Sequence, residues 1–307
     1  MKVIAVVGPT AVGKSALAVR LAKKYNGEVI SCNSMQVYRG MDIGTAKVTA
    51  EETEGIPHHL IDIKNPDEDF SCADYAALAK AKIEEIISRG KTPVFCGGTG
   101  LYLDAVLEID SFGKTVADED YRKEMELYAA ENGNEALHRL LAEVDHVSAE
   151  AIHFNNVKRV IRALEIYKCT GKPKSVVDAE NKSIRPPYDS TVFFLTCDNK
   201  ELLYSRIEKR VDIMLEQGLL AETKELYAQG VFEKSRTAAG AIGYKELLPF
   251  IKGEASLDDC VAELKLSTRH YAKRQLTWFK KKANYIPICV DKENAYERAL
   301  SVLGDSI

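Results

Sequence analysis

Eight residues near the N-terminus, Gly8-Pro9-Thr10-Ala11-Val12-Gly13-Lys14-Ser15, fit the pattern G-x-x-x-x-G-K-[ST] in full. They follow an apolar, strand-like run, Lys2–Val7, and open a helical run, Lys14–Lys24. A phosphate-binding loop requires that order. Glycines let the backbone curl until successive N–H groups point at phosphate oxygens, and the helix N-terminus adds favourable partial charge. Gly8 to Gly13 then form the cradle, Lys14 pairs with the terminal phosphates, and the Ser15 hydroxyl is offered to Mg²⁺. The loop says that a phosphate chain is held. Which bond breaks stays open, and a nucleoside-type kinase fits this much equally well.

The rest of the first hundred residues alternates short apolar runs with amphipathic ones. Glu28–Ser31, Leu60–Ile63 and Pro93–Cys96 read as strands. Cys72–Arg89 reads as a helix, with Ser71 as N-cap and Gly90 as terminator. Alternation of this kind predicts a parallel α/β sheet. From Thr115 to Lys172 only helical patterns occur, at Asp118–Ala130, Glu135–Glu143 and Asn156–Cys169. Strand signal returns at Thr191–Thr196, after the Pro186-Pro187 break. Helices are expected over 199–229, 240–251 and 256–282, and a last strand at Pro287–Val290. The predicted fold class is therefore α/β, a P-loop NTPase-like parallel sheet core formed by 1–114 and 188–307. A helical insertion domain occupies 115–187.

The chain has 307 residues, 46% of them hydrophobic and 29% charged, enough for a sizeable core. No uninterrupted apolar stretch is long enough for a membrane helix, and the first run is too short for a signal peptide. Seven cysteines without a Cys-x-x-Cys pair suit a reducing, cytoplasmic setting and offer no zinc site. His58-His59 is a poor metal pair, because neighbours in an extended segment point to opposite sides. The formal net charge of −4 means that any nucleic acid must be held by a local patch rather than by the whole surface. One candidate is Arg269 to Lys282, with six Lys/Arg and no acid, in which Arg269, Lys273 and Lys280 share a helical stripe. Lys158, Arg159 and Arg162 form a second basic cluster.

Strand two runs into Asn33-Ser34-Met35-Gln36-Val37-Tyr38-Arg39-Gly40-Met41-Asp42-Ile43-Gly44-Thr45-Ala46-Lys47. Further blocks are Gly97-Gly98-Thr99-Gly100-Leu101-Tyr102, Arg159-Val160-Ile161-Arg162-Ala163-Leu164-Glu165, Ala241-Ile242-Gly243-Tyr244-Lys245-Glu246 and Ala272-Lys273-Arg274-Gln275-Leu276-Thr277-Trp278-Phe279. In these blocks, spread from residue 8 to about 280, the chain closely resembles the tRNA dimethylallyltransferases. The resemblance implies transfer of a dimethylallyl group from dimethylallyl diphosphate to N6 of adenine 37 in the anticodon stem-loop of tRNAs reading codons that begin with U. The P-loop then holds diphosphate as a leaving group, with Mg²⁺ as cofactor.

The resemblance also implies roles for single residues. Arg206 and Arg210 share a helix face, and at least Arg210 reaches the diphosphate. Thr99 contacts the tRNA near the target base, while Ser34, Met35 and Gln36 line the path of the extracted adenine. Lys158, Arg159, Arg162, Gly243, Lys273, Arg274 and Trp278 fall at tRNA-contacting places. One departure stands out: the family usually has Asp where this chain has Asn33, and a neutral amide cannot accept the proton from the attacking amine. Asn33 is expected to orient that amine instead. The protein is expected to act as a monomer.

Overall fold

The computed structural model describes residues 2–108, 118–182 and 186–304. They divide into two compact units, Met1–Leu103 with Tyr188–Ile307, and Asp104–Pro187. The boundary expected at 114–115 lies outside the described residues.

The first unit is built on strands β1 (Lys2–Val7), β2 (Gly27–Cys32), β3 (His58–His59), β4 (Thr92–Gly97), β5 (Asp189–Thr196) and β6 (Ile286–Cys289). They form a six-stranded sheet in the order β3-β2-β4-β1-β5-β6, and every pairing is parallel. In β1 the run Val3, Ile4, Ala5, Val6 is completely buried, as a central parallel strand covered on both faces demands. Ile4 and Val6 pack with Leu17 and Leu21 of the helix Lys14–Lys24, and with Val94, Phe193 and Leu195. Each such side chain removed from water contributes about 1.5–3 kcal/mol.

The chain leaves β1 for β2 on one side and leaves β4 for β5 on the other. The strand order therefore reverses between β1 and β4, and their carboxyl ends open a crevice there.

Three expectations need correction. The strand placed at Leu60–Ile63 is instead the short His58–His59, because Leu60 (φ 60°) and Asp62 (φ 56°) turn left-handed and leave the sheet. The helix expected over 199–229 breaks at Gly218 (φ 104°) into Lys200–Glu216 and Leu219–Ala228. The helix expected over 240–251 shrinks to Leu248–Ile251. Gly243 (φ 108°) takes a backbone shape no helix contains, and a Cβ there would lie 2.9 Å from the Gly44 carbonyl. A final helix, Ala295–Val302, carries no signal used above.

The second unit packs helices Glu119–Asn132, Asn134–Val144, His146–Ala151, Val157–Thr170 and Lys174–Lys182. Leu137, Leu141, Val160 and Ile161 form its core. Glu165 is fully buried there and takes hydrogen bonds from Arg122 Nε (2.8 Å), Arg122 Nη2 (3.1 Å), the Asp118 N–H (2.9 Å) and Arg162 Nη1 (2.5 Å). Burial alone would raise its pKa, but the hydrogen bonds from Arg122 and Arg162 hold it below the ordinary carboxylate value.

Candidate active site

The crevice between β1 and β4 is lined by three loops, each leaving the carboxyl end of a strand. The P-loop follows β1 and uses left-handed backbone at Ala11 (φ 61°) and Gly13 (φ 89°). Gly8 admits no side chain, since a Cβ would come within 2.5 Å of the Leu195 carbonyl on β5. Lys14 opens the helix and donates its ammonium to the Pro9 carbonyl at 2.6 Å. Burial lowers its pKa to about 8; the Arg210 charge adds to this and Cys96 opposes it. Ser15 hydrogen-bonds the Cys96 thiol near the end of β4, whose own pKa burial raises.

Arg210, on the helix Lys200–Glu216, is partly buried and has no ion-pair partner among the described residues; burial depresses its pKa. Lys14 and Arg210 thus place two positive charges near one glycine-rich loop. Arg206, one turn earlier on the same helix, is exposed and lines a neighbouring cavity of about 490 Å³ with Ala11, Val12, Gly13, Arg20 and Tyr296. The Tyr296 hydroxyl donates to the Gly13 carbonyl at 3.0 Å. Pro9, Thr10, Val12 and Gly13 thus sit where the motif placed them, with Lys14, Ser15, Arg206 and Arg210 grouped around the loop.

The second loop follows β4. Gly97 pairs with Cys32, and a Cβ on it would fall 2.0 Å from the Cys32 carbonyl. This close approach brings Thr99 against the third loop, which follows β2. Thr99 Oγ1 accepts the Ser34 N–H at 3.1 Å, and the Thr99 N–H donates to the Cys32 carbonyl at 3.1 Å. Asn33 folds its Oδ1 onto the Met35 N–H at 3.0 Å, so one lone pair of the oxygen expected to orient an amine already serves the loop. Asn33, Ser34 and Thr99 do come together.

Gln36 and Gly243 are both held within the protein. The Gln36 amide accepts from the Ser31 hydroxyl at 2.9 Å and donates to the carbonyls of Thr45 (3.2 Å) and Ala46 (3.0 Å). Its side chain thereby braces the loop. Met35 packs with the apolar cluster around Val37 and Tyr244. Gly243, expected at the tRNA, is buried beneath Gly44, where only a glycine fits.

The helix Leu257–Phe279 presents Lys273 and Arg274 to solvent. Arg274 lies over the Tyr271 ring, 5.7 Å from its centroid. Arg269 leaves the expected stripe: its guanidinium is ion-paired with Glu208 and sits over the Tyr204 ring at 5.3 Å. Trp278 rests on Gly100, where a Cβ would come within 2.3 Å of the indole. In the other unit Lys158 and Arg159 are exposed, and Arg162 is held by Glu165.

The residues missed by pattern reading lie on one face of that long helix. Gln275 is buried; its Oε1 accepts the Thr10 N–H at 2.9 Å and its Nε2 donates to the Gly98 carbonyl at 3.0 Å. Tyr271, one turn earlier, hydrogen-bonds Thr99, and burial raises its pKa. The spacing of Tyr271, Gln275 and Trp278 at i, i+4 and i+7 marks one helical face, and was the available signal.

The fold and site define a P-loop-like α/β protein whose glycine-rich loop lies beside a second loop system at the switch point of its sheet. A sequence model described as IPP transferase matches residues 36–282. The tRNA dimethylallyltransferase of Halalkalibacterium halodurans is 51% identical over 283 residues, 92% of this chain and 89% of that protein. That of Acetivibrio thermocellus is 48% identical over 301 residues, 98% and 96% of the two chains. A crystal structure of the full-length tRNA isopentenylpyrophosphate transferase from Bacillus halodurans superposes with a TM-score of 0.73 at 47% identity, covering 99% of this chain and 96% of that one. A structure of a eukaryotic dimethylallyltransferase acting on tRNA gives 0.86 at 33% identity, over 99% and 79%. The chain belongs to the IPP transferase family.

Proposed function

We infer that this protein is a tRNA-modifying prenyltransferase. It transfers the dimethylallyl group of dimethylallyl diphosphate to N6 of adenine 37 in tRNAs reading codons that begin with U. The observation that carries the reading is the placing of two cations, Lys14 and Arg210, at a P-loop that Gln275 ties to the Gly98 turn beside Thr99.

In the reaction the C1–O bond of the allyl diphosphate breaks and the amine nitrogen bonds to C1. One amine proton is lost, and diphosphate departs with the bonding electron pair. Negative charge grows on the leaving group, so preorganised donors aimed at it stabilise the transition state more than the ground state. Lys14, Arg210 and the loop N–H groups are those donors in this reading, with Arg206 at the outer edge.

A hard cation suits the site. Mg²⁺ keeps several waters and takes phosphate oxygens, and the P-loop hydroxyl that would join them is that of Ser15. Bound there, the ion would neutralise charge on the diphosphate.

On the acceptor side, the loop joining Asn33, Ser34 and Thr99 would hold the extracted adenine, with Asn33 positioning N6. Lys273 and Arg274 on one unit, and Lys158, Arg159 and Arg162 on the other, would meet the backbone of the anticodon stem-loop. No described helix is long and apolar enough to cross a membrane, and all seven cysteines are free. A cytoplasmic monomer is proposed. The test is incubation with labelled dimethylallyl diphosphate, Mg²⁺ and unmodified tRNA. Label entering the RNA supports the reading; label entering an acceptor only from ATP overturns it.

A further inference from the structure

The diphosphate cradle and the acceptor loops belong to different segments of the chain, yet an alkyl transfer demands a fixed distance between them. The only strand-to-strand guarantee at the crevice ends with the sheet itself: β1 and β4 pair as far as Val7 and Gly97. Beyond those residues strand pairing stops, although Gly98 still lies near the Gly8 carbonyl. One side chain hydrogen-bonds the backbone of both loops. Gln275 accepts the Thr10 N–H of the P-loop at 2.9 Å and donates to the Gly98 carbonyl of the acceptor loop at 3.0 Å.

Three features set this amide apart from an ordinary buried glutamine. Its contacts lie 265 and 177 residues away, one on each side of the crevice. Gly98 has no room for a side chain because a Cβ would fall 1.9 Å from Gln275 Nε2, so the amide occupies the very space that Gly98 vacates. The same helix face carries Tyr271 to Thr99 and Trp278 onto Gly100, which ties the whole Gly98–Gly100 turn to that helix.

We propose that Gln275 is a positioning residue that sets the separation between the allyl diphosphate and the acceptor amine. It touches neither reactant. The inference rests on the prenyl-transfer reading above. Gln275 engages a P-loop N–H that is thereby withheld from phosphate, so diphosphate binding depends on Lys14, Arg210 and the remaining loop amides. Loss of the bridge therefore affects the rate of transfer more than the hold on the diphosphate. A loosened crevice also lets water compete for C1 of the allyl group. In that side reaction the C1–O bond breaks, water oxygen bonds to carbon, one water proton leaves, and free dimethylallyl alcohol and diphosphate result.

The experiment compares the parent chain with Gln275→Met, which keeps length and volume but neither hydrogen bond, and Gln275→Asn, which keeps the chemistry on a shorter arm. Steady-state transfer to unmodified tRNA is measured together with release of labelled alcohol, and thermal melting establishes that each variant is folded. For both variants kcat falls on the order of 100-fold, as for a misplacement of about 1 Å. The KM for dimethylallyl diphosphate stays within about threefold, and the ratio of alcohol to prenylated tRNA rises. A folded variant with parental kcat and partitioning would overturn the proposal. So would a rise in KM with kcat untouched, which would make Gln275 a simple brace for the P-loop. A parent chain that transfers no label would overturn the prenyl-transfer reading itself, and this inference with it.

Discussion

The Tyr244 hydroxyl donates to the Glu222 carboxylate at 2.7 Å, and Glu222 in turn receives the backbone N–H groups of Asp42 (3.1 Å), Ile43 (2.9 Å) and Gly44 (3.0 Å). Three successive amides converging on one carboxylate form an anion nest filled by the protein's own side chain. Gly44 is a glycine because a Cβ would meet the Tyr244 ring at 2.4 Å. Two sequence blocks far apart in the chain, around Gly44 and Tyr244, are thus one structural joint.

Removing the carboxylate strands that nest. Glu222→Ala should lower the unfolding free energy by about 1.5–3 kcal/mol, the range for hydrogen bonds to a charged acceptor. Tyr244→Phe, which deletes one of the four bonds, should cost about 1 kcal/mol. Urea unfolding of both variants against the parent measures this. An undiminished midpoint for Glu222→Ala would mean the nest contributes nothing.

The buried carboxylate of the second unit gives a larger effect. Glu165 is a fully buried carboxylate that pairs with Arg122 and Arg162, so Glu165→Ala removes that carboxylate from both guanidinium groups, while Arg122 keeps Glu119. Breaking such a cluster from one side costs about 3–5 kcal/mol. Because the folded pKa of Glu165 is depressed, its contribution is present above the unfolded carboxylate pKa and is lost as pH falls through the folded one. Acid should therefore narrow the difference between parent and variant, which denaturation series at neutral and acidic pH would reveal.

Trp278 is the chain's single tryptophan, and its ring lies on Gly100 beside Thr99. Gly100→Ala places a methyl group where the indole sits. The emission maximum should shift to the red as the ring is pushed toward water, and transfer activity should drop on the order of tenfold through displacement of the Thr99 turn. Unchanged fluorescence would show that the ring is not seated on Gly100.

At Asn33 the prediction concerns rate. Aspartate can keep the hydrogen bond from the Met35 N–H, since a carboxylate accepts as well as an amide oxygen, and it adds a proton acceptor. Asn33→Asp should raise kcat on the order of 100-fold, the lower end for a positioned general base. The parent should still turn over. A wholly inactive parent rescued by Asp would contradict a positioning role for Asn33.

Much of this was readable from local pattern. The P-loop, five strands and the Cys72–Ser88 helix follow from periodicity and glycine placement, which are properties of neighbouring residues. What escaped was long-range or sterically unusual. Leu60 takes left-handed backbone although leucine is not a residue type that advertises it, and Asp62, of a type enriched there, gives only a weak signal. Arg269 looked like part of a free cationic stripe until Glu208, 61 residues away, was found against it. Gln275 sits in a block of basic residues and gives no local sign that it bridges two loops. The Ala295–Val302 helix carries Tyr296 to the P-loop only because β6 ends beside β5, a tertiary fact.

The lowered pKa of Lys14 has two consequences with opposite directions. For stability, the unfolded lysine keeps its proton up to about 10.5 while the folded one releases it near 8, so between those values the unfolded chain binds more protons and stability rises with pH. For function, the free protein loses a positive charge from the cradle as pH rises through about 8, and capture of the diphosphate weakens. The kcat/KM for dimethylallyl diphosphate should fall above that pH in the parent. In Lys14→Met it should be low and should not show this step.

The most direct measurement is therefore single-turnover transfer from labelled dimethylallyl diphosphate to unmodified tRNA by parent and Lys14→Met at pH 7. If the P-loop cradles the departing diphosphate, the variant should lose a factor on the order of 10²–10³ in rate, the loss found when one preorganised donor is taken from a developing anion. Equal rates for the two proteins would contradict that role.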